Sequence, residues 1–279
     1  MRTRACTVCP FSLSLFPYSS YTTGTGCTSC QCPSLSFVFI FRPGSDHPQF
    51  IKQGILYVST ETELDKYLSI MSHNEAFARG VTILIVKFHG RSPPIAKLHL
   101  LMSRTSNIDT LEIELPHVSI LRCTRMLSLV HCPRLAVLRT KTISHQGLVN
   151  FLQRHPRLIS LDVGLCGAAM ECPMGGVLLI SLSDIAGPAA CVSSLILGND
   201  VTRVTATHDT AHDVHSVPSL FTTITSSKHI SILHLDFAPA HHEIMRLIIA
   251  AAPQVTSLKL TENGLECQVN MSFSRKTAQ

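Results

Sequence analysis

Near its C-terminus the chain reads QVTSLKLTENGLE over residues 254–266, which reduces to Val255-x-x-Leu258-x-Leu260-x-x-Asn263-x-Leu265. Leu258 and Leu260 alternate with Lys259, and that alternation gives a strand one apolar and one polar face. A unit this small cannot bury its apolar face alone, so the pattern matters only if it recurs and each copy covers the next. It recurs. Strand-like segments centre on Leu84 (VTILIV), Leu111 (IDTLEI), Leu138 (LAVLRT), Leu161 (LISLDV), Leu195 (VSSLIL), Leu233 (ISILHL) and Leu258 (VTSLKL). The intervals between those leucines are 27, 27, 23, 34, 38 and 25 residues. Four of them fall within the period of about 20–29 residues expected of strand-plus-helix repeats, and the two long ones leave room for insertions.

The segments between the strands carry helical signals. Thr60-x-x-Glu63 is a capping box, followed at helical spacing by Leu64, Tyr67, Leu68 and Met71. Apolar stripes also follow Pro94 (Ile95, Leu98, Leu101, Met102), Ser144 (Leu148, Phe151, Leu152), Pro218 (Leu220, Phe221, Ile224) and Pro239 (Ile244, Leu247, Ile248, Ala251). Pro133, Pro156 and Pro253 each stand just before a strand, where proline ends a helix and pushes the preceding residue toward extended geometry. The unit is therefore strand, turn, helix, proline stop, strand.

Such units, joined right-handedly, stack into a parallel sheet. The expected class is α/β: a leucine-rich-repeat-like solenoid, a horseshoe with the parallel sheet on the concave side and helices on the convex side. Thr140 occupies a slot that is apolar in other copies, and Cys166 and Asn263 stand at the turn position after the strand. Strand alternation places Glu112, Glu114, Arg139, Lys141, Asp162, Ile196, His234, Asp236 and Lys259 on the concave wall, which makes them the candidate partner-binding residues. Residues 46–265 form this domain, with a tail over 266–279.

The stretch from about residue 46 to 265 is similar to the leucine-rich-repeat portion of fungal F-box-type proteins. The similarity rests on HPQFIKQGILYVSTETELDKYLSIMSHNEAFARGVTILIV and on the HPRLISLDVG and APQVTSLKL units. It implies a strand at ILYVST (55–60), and a protein that holds targets for a cullin-based ubiquitin ligase on its repeats. In that family an F-box, three helices opening near a Leu-Pro, docks the ligase adaptor. Residues 1–45 show no such pattern, so adaptor docking is not expected of this stretch.

Residues 1–45 instead hold Cys6-x-x-Cys9 and Cys27-x-x-Cys30, a spacing that suits four thiolates around tetrahedral zinc. Zinc held by these four cysteines is the alternative reading of the protein. The intervening PFSLSLFPYSS is dominated by Ser, Phe, Leu and Pro, all encoded by all-pyrimidine codons. A disordered leader, or a wrongly translated segment, is the expectation. His208, His212 and His215, with Asp209 and Asp213, fall in a Thr-rich stretch without an apolar stripe and read as an inserted surface loop.

Composition excludes several classes. The 23 basic and 18 acidic residues are scattered, with no basic stripe for nucleic acid. No apolar run approaches the ~18 residues of a membrane span. No catalytic relay, Gly-rich phosphate loop or close carboxylate pair stands out. The expectation is a monomeric, non-enzymatic, intracellular protein of the cytoplasm or nucleus that binds a protein partner and needs no cofactor.

Overall fold

Thr60 starts the first helix as its sequence predicts. In the computed structural model the Thr60 hydroxyl accepts from the Glu63 amide at 3.2 Å, and the Glu63 carboxylate accepts from the Thr60 amide at 3.2 Å. The pair satisfies two amides that α1 (Glu61–His73) leaves without intrahelical acceptors. Leu64, Tyr67 and Met71 recur on one face of α1 and are buried there. The structure describes residues 54–262, apart from 89–92, 116–117, 165, 167–171, 208–215, 228 and 238–242. Cys6, Cys9, Cys27 and Cys30, the rest of the leader, the 266–279 tail and the three histidines of the 208–215 loop lie outside the described residues.

From the N-terminal end the elements run β1 (Ile55–Val58), α1, α2 (Glu75–Arg79), β2 (Ile83–Lys87), α3 (Ile95–Arg104), β3 (Thr110–Glu114), α4 (Ile120–Ser128), β4 (Val137–Thr140), α5 (His145–Gln153) and β5 (Ser160–Val163). After a connection without a helix among its described residues come β6 (Asp184–Pro188), α6 (Ala189–Ile196), β7 (Arg203–Thr207), α7 (Ser216–Ser226), β8 (Ile232–Phe237), α8 (Ile244–Ala251) and β9 (Ser257–Glu262). The strands form one sheet in sequence order, and every neighbouring pair is parallel.

The step from unit to unit is set by the main chain. The carbonyl just before each strand accepts two successive amides of the next unit. Gly54 accepts from Thr82 and Ile83, Thr82 from Asp109 and Thr110, Asp109 from Ala136 and Val137, and Ala136 from Ile159 and Ser160. Ile159, Ser183, Thr202 and Ser231 continue the series to Ser257. All eight junctions of the sheet are made this way.

The same register stacks one apolar row through the core. Leu56, Leu84, Leu111, Leu138, Leu161, Ile185, Val204, Leu233 and Leu258 are aligned strand by strand, and none is more than 4% exposed. The helices cover this face. They pack α1 on α3, α3 on α4 and α4 on α5, then α6 on α7 and α7 on α8.

Two expectations are corrected here. Leu195 is not a strand centre but a buried residue of α6, and Ile196 is buried in the same helix at 3% exposure instead of standing on the sheet's open face. The segment VSSLIL fits the strand pattern, yet Val192, Leu195 and Ile196 also have helical spacing, and the latter wins because all three then face the core. The strands in its place are DIAGP and RVTAT, whose row positions hold Ile185 and Val204. With them, the two long intervals become steps of 24, 19 and 29 residues between Leu161, Ile185, Val204 and Leu233.

Thr140 takes an apolar slot beside Ile113 and Val163 and is 1% exposed. Its Oγ1 has no hydrogen-bond partner among the described residues. A buried hydroxyl without a partner costs about 1–3 kcal/mol. His155, by contrast, is buried and fully used. Its Nδ1–H donates to the Phe151 carbonyl at 2.7 Å, while Nε2 accepts from the Cys132 amide at 3.1 Å, tying α5 to the preceding unit. Both roles require a neutral ring. Burial pushes its pKa below the ordinary 6.5, with Arg154 and His131 adding to the effect and the Phe151 bond opposing it.

Leu161→Ala should lower stability by about 2–5 kcal/mol, and Thr140→Val should raise it by about 1 kcal/mol, both read from urea melts. A loss at Thr140→Val would show that the hydroxyl is bonded in solution. Because His155 takes a proton less readily folded than unfolded, its contribution is constant above the ordinary histidine pKa of 6.5. Stability should then fall as pH drops from there toward the folded value, and His155→Gln should flatten that slope in melts run at a series of pH values.

Candidate functional site: the open face of the sheet

Each strand turns alternate side chains away from the helices, and the register aligns these into rows. The central row reads Tyr57, Ile85, Glu112, Arg139, Asp162, Ala186, Thr205, His234 and Lys259 from β1 to β9. One pleat farther along, Lys87 is paired with Glu114 across β2 and β3. Eight of the nine residues expected on the wall are thus on this face or at its rim, and Ile196 is not.

Charges alternate where the row crosses β3, β4 and β5. Glu112 stands opposite Arg139, and Arg139 stands opposite Asp162. Lys87 Nζ lies 2.6 Å from a Glu112 oxygen and 3.9 Å from one of Glu114. The hydrogen bond that Lys87 donates to Glu112 raises the Lys87 pKa despite some burial, so the ammonium is held charged. Glu112, Glu114, Arg139, Lys141 and Asp162, with Ile113 behind them, line a cavity of about 240 Å³. Two bases and three acids line it, and Lys87 joins them through its contact with Glu112.

Asp162 is less solvated than its position in an alternating strand suggests. Burial raises its pKa, Lys141 and Arg139 pull it back, and Glu112 raises it further. Beyond β5 the row passes through the small residues Ala186 and Thr205 before charge returns. There Arg203 pairs with Asp184 at 3.1 Å, and His234 is aligned with Lys259 and one pleat from Asp236. Burial lowers the His234 pKa, and Lys259 and Arg203 add to that, so this imidazole stays neutral more readily than a free one.

A second constellation lies behind the sheet and joins residues far apart in sequence. His145 opens α5, Cys166 follows β5, Cys172 lies in the β5–β6 connection and Cys191 lies in the first turn of α6. One ligand atom from each lies within 4.8 Å of all the others, so the group could hold a metal ion. His145 is completely buried, as is Cys191, while Cys172 is 9% exposed. His145 Nε2 is 2.9 Å from the Gly164 carbonyl, and Nδ1 is 3.4 Å from Cys172 Sγ. A thiol hydrogen bond from Cys191 lowers the Cys172 pKa to about 4 against the effect of burial, with His145 and the Met174 amide assisting. The Cys191 pKa is pushed up because its S–H donates a hydrogen bond to Cys172, and burial adds to this. Sequence spacing does not reveal this group, because its members come from three separate segments.

Among the described residues no helix is long and apolar enough to cross a membrane. Comparison of the chain with protein-family models and with curated proteins returns no match.

Asp162 takes a proton more readily folded than unfolded, so its ionised form weakens the fold above the folded pKa, and the penalty disappears as pH falls toward the ordinary 3.8. Asp162→Asn should therefore be at least as stable as wild type at pH 7, with the difference shrinking toward pH 4 in paired urea melts. A clear loss at pH 7 would mean that its attraction to Arg139 and Lys141 outweighs burial.

Proposed function

We propose that the chain is a protein-interaction module, a leucine-rich-repeat-type solenoid whose sheet forms the concave wall of a horseshoe and receives a protein partner. One observation carries the reading: in-register rows of charged side chains on the sheet face that the helices leave uncovered. A stack of strands offers side chains at fixed spacing in two directions, which suits a large, shaped partner better than a small molecule. Alternating signs favour recognition by charge complementarity, because complementary fields set partner choice and association rate. The resemblance to the repeat portion of fungal F-box-type proteins suggests the partner class: a target destined for a cullin-based ubiquitin ligase. A binding role without catalysis, inside the cell in the cytoplasm or nucleus, fits a described region whose five cysteines form no disulfide.

Neutralising the bases of the cavity tests this more cleanly than reversing them. Reversal at Arg139 and Lys141 would gather five carboxylates around one cavity and unfold the sheet for reasons unrelated to binding. Arg139→Gln with Lys141→Gln should keep stability within about 1 kcal/mol. It should weaken capture of partners by about tenfold, the effect of losing one charge pair worth about 1.5 kcal/mol. Lys66→Gln with Arg125→Gln, on exposed positions of α1 and α4, is the matched control. Lysine cross-linking of the captured complex should mark Lys87, Lys141 and Lys259. If only the helix-side pair weakens capture, the partner docks on the helices and the reading fails.

A further inference from the structure

The cluster of His145, Cys166, Cys172 and Cys191 sits where the repeat is broken. Elsewhere a helix joins one strand to the next. Between β5 and β6 the described residues hold turns instead, closed by Gly175 N–H to Cys172 carbonyl at 3.0 Å and Val177 N–H to Met174 carbonyl at 3.0 Å. The second half of this connection is well anchored. Met174, Val177, Leu179 and Leu182 are buried, and the buried Asn199 bonds the Leu179 amide and the Val177 and Leu195 carbonyls. The first half, from Gly164 to Cys172, contributes Cys166 and Cys172 to the cluster. These two meet His145 and Cys191, which belong to the flanking helices.

We propose that these four side chains bind one zinc ion, which cross-links α5, the β5–β6 connection and α6. The donor set is three thiolates and one imidazole, a combination typical of closed structural zinc sites. The spacing also fits. Zinc–sulfur bonds of about 2.3 Å and zinc–nitrogen bonds of about 2.0 Å place tetrahedral neighbours about 3.5–3.8 Å apart. Here the Nδ1-to-Sγ distance of Cys172 is 3.4 Å and the whole set lies within 4.8 Å, so small rotations of the side chains close the shell.

The imidazole is already oriented for the task. A carbonyl can only accept, so the 2.9 Å contact with Gly164 requires the proton on Nε2. The atom left to bind zinc is then Nδ1, which faces Cys172 and gives up any proton it shares with that sulfur. A ligating histidine usually donates its other N–H to an oxygen in this way, which fixes both tautomer and ring orientation. Gly164 itself is constrained, because a Cβ there would lie 1.8 Å from the Lys141 carbonyl oxygen. Its backbone can therefore approach the neighbouring unit and present its carbonyl to His145. Binding is balanced simply: Zn²⁺ enters, whatever protons the three cysteines and Nδ1 still hold leave to solvent, and nothing is oxidised.

The experiment must separate this set from the N-terminal cysteines. Full-length protein carrying Cys6→Ser, Cys9→Ser, Cys27→Ser and Cys30→Ser is purified under reducing conditions, and its metal content is measured by mass spectrometry. One zinc per chain is expected. Exchange with Co²⁺ should give the intense visible bands of a tetrahedral cobalt–thiolate centre. Adding Cys172→Ser should abolish both signals, and His145→Cys should retain them as a four-thiolate set. Chelation should lower the melting temperature. Absence of zinc from the folded four-serine protein after incubation with Zn²⁺ overturns the proposal even if Cys172→Ser fails to fold. So does a disulfide joining any two of the three cysteines in protein isolated without reductant, or zinc that survives Cys172→Ser.

Discussion

Every junction in this sheet depends on one carbonyl accepting two amides. From Gly54 to Ser231, the residue just before a strand bonds consecutive N–H groups of the following unit. Each bond of this kind is worth only about 0.5–1.5 kcal/mol net. Its geometric effect is larger, because it fixes register, and a slip of one residue would turn Leu161 outward and Asp162 inward. The apolar row from Leu56 to Leu258 and the charged row from Glu112 to Lys259 are two consequences of that one step. Packing and the open charged face are therefore set together.

Much of this was legible in the sequence because leucine marks the buried position. Leu84, Leu111, Leu138, Leu161, Leu233 and Leu258 each stand where the alternation puts them. The capping box at Thr60 and the stripes of α3 and α5 followed from spacing alone. The middle of the chain was not legible. Ile185 and Val204 hold the row position in strands made of small and polar residues, and Leu195 offers a better leucine pattern inside a helix. In strands with few large apolar residues, backbone pairing with both neighbours decides the conformation, and pairing leaves no local trace. The cluster of His145 and three cysteines was hidden for a related reason. Spacing motifs detect ligands on one loop, whereas these four meet only after two units have stacked.

The open face and the cluster divide the work of the fold differently. On the open face, opposing charges are held close but remain wet, so Lys87, Glu112, Arg139 and Asp162 contribute little to stability and much to the pattern a partner would meet. Within the cluster, polar atoms are removed from water and held by defined neighbours, as the Gly164 carbonyl has His145. The helix layer runs in two series, α1 to α5 and α6 to α8, and the cluster lies at the seam between them.

The acceptors of the repeated bond are Gly, Thr, Asp, Ala, Ile, Ser, Thr and Ser. No side chain is common to them, because the bond needs only the carbonyl. Thr256 occupies the same place before β9 that these residues occupy before their own strands. Nothing in the geometry of the step singles out a last unit. An array of this kind can lengthen by duplication of a segment, each copy then free to diverge in every residue except those that keep the spacing. What such an array must keep is the paired step and its one buried apolar position, and the letters around them are open to change.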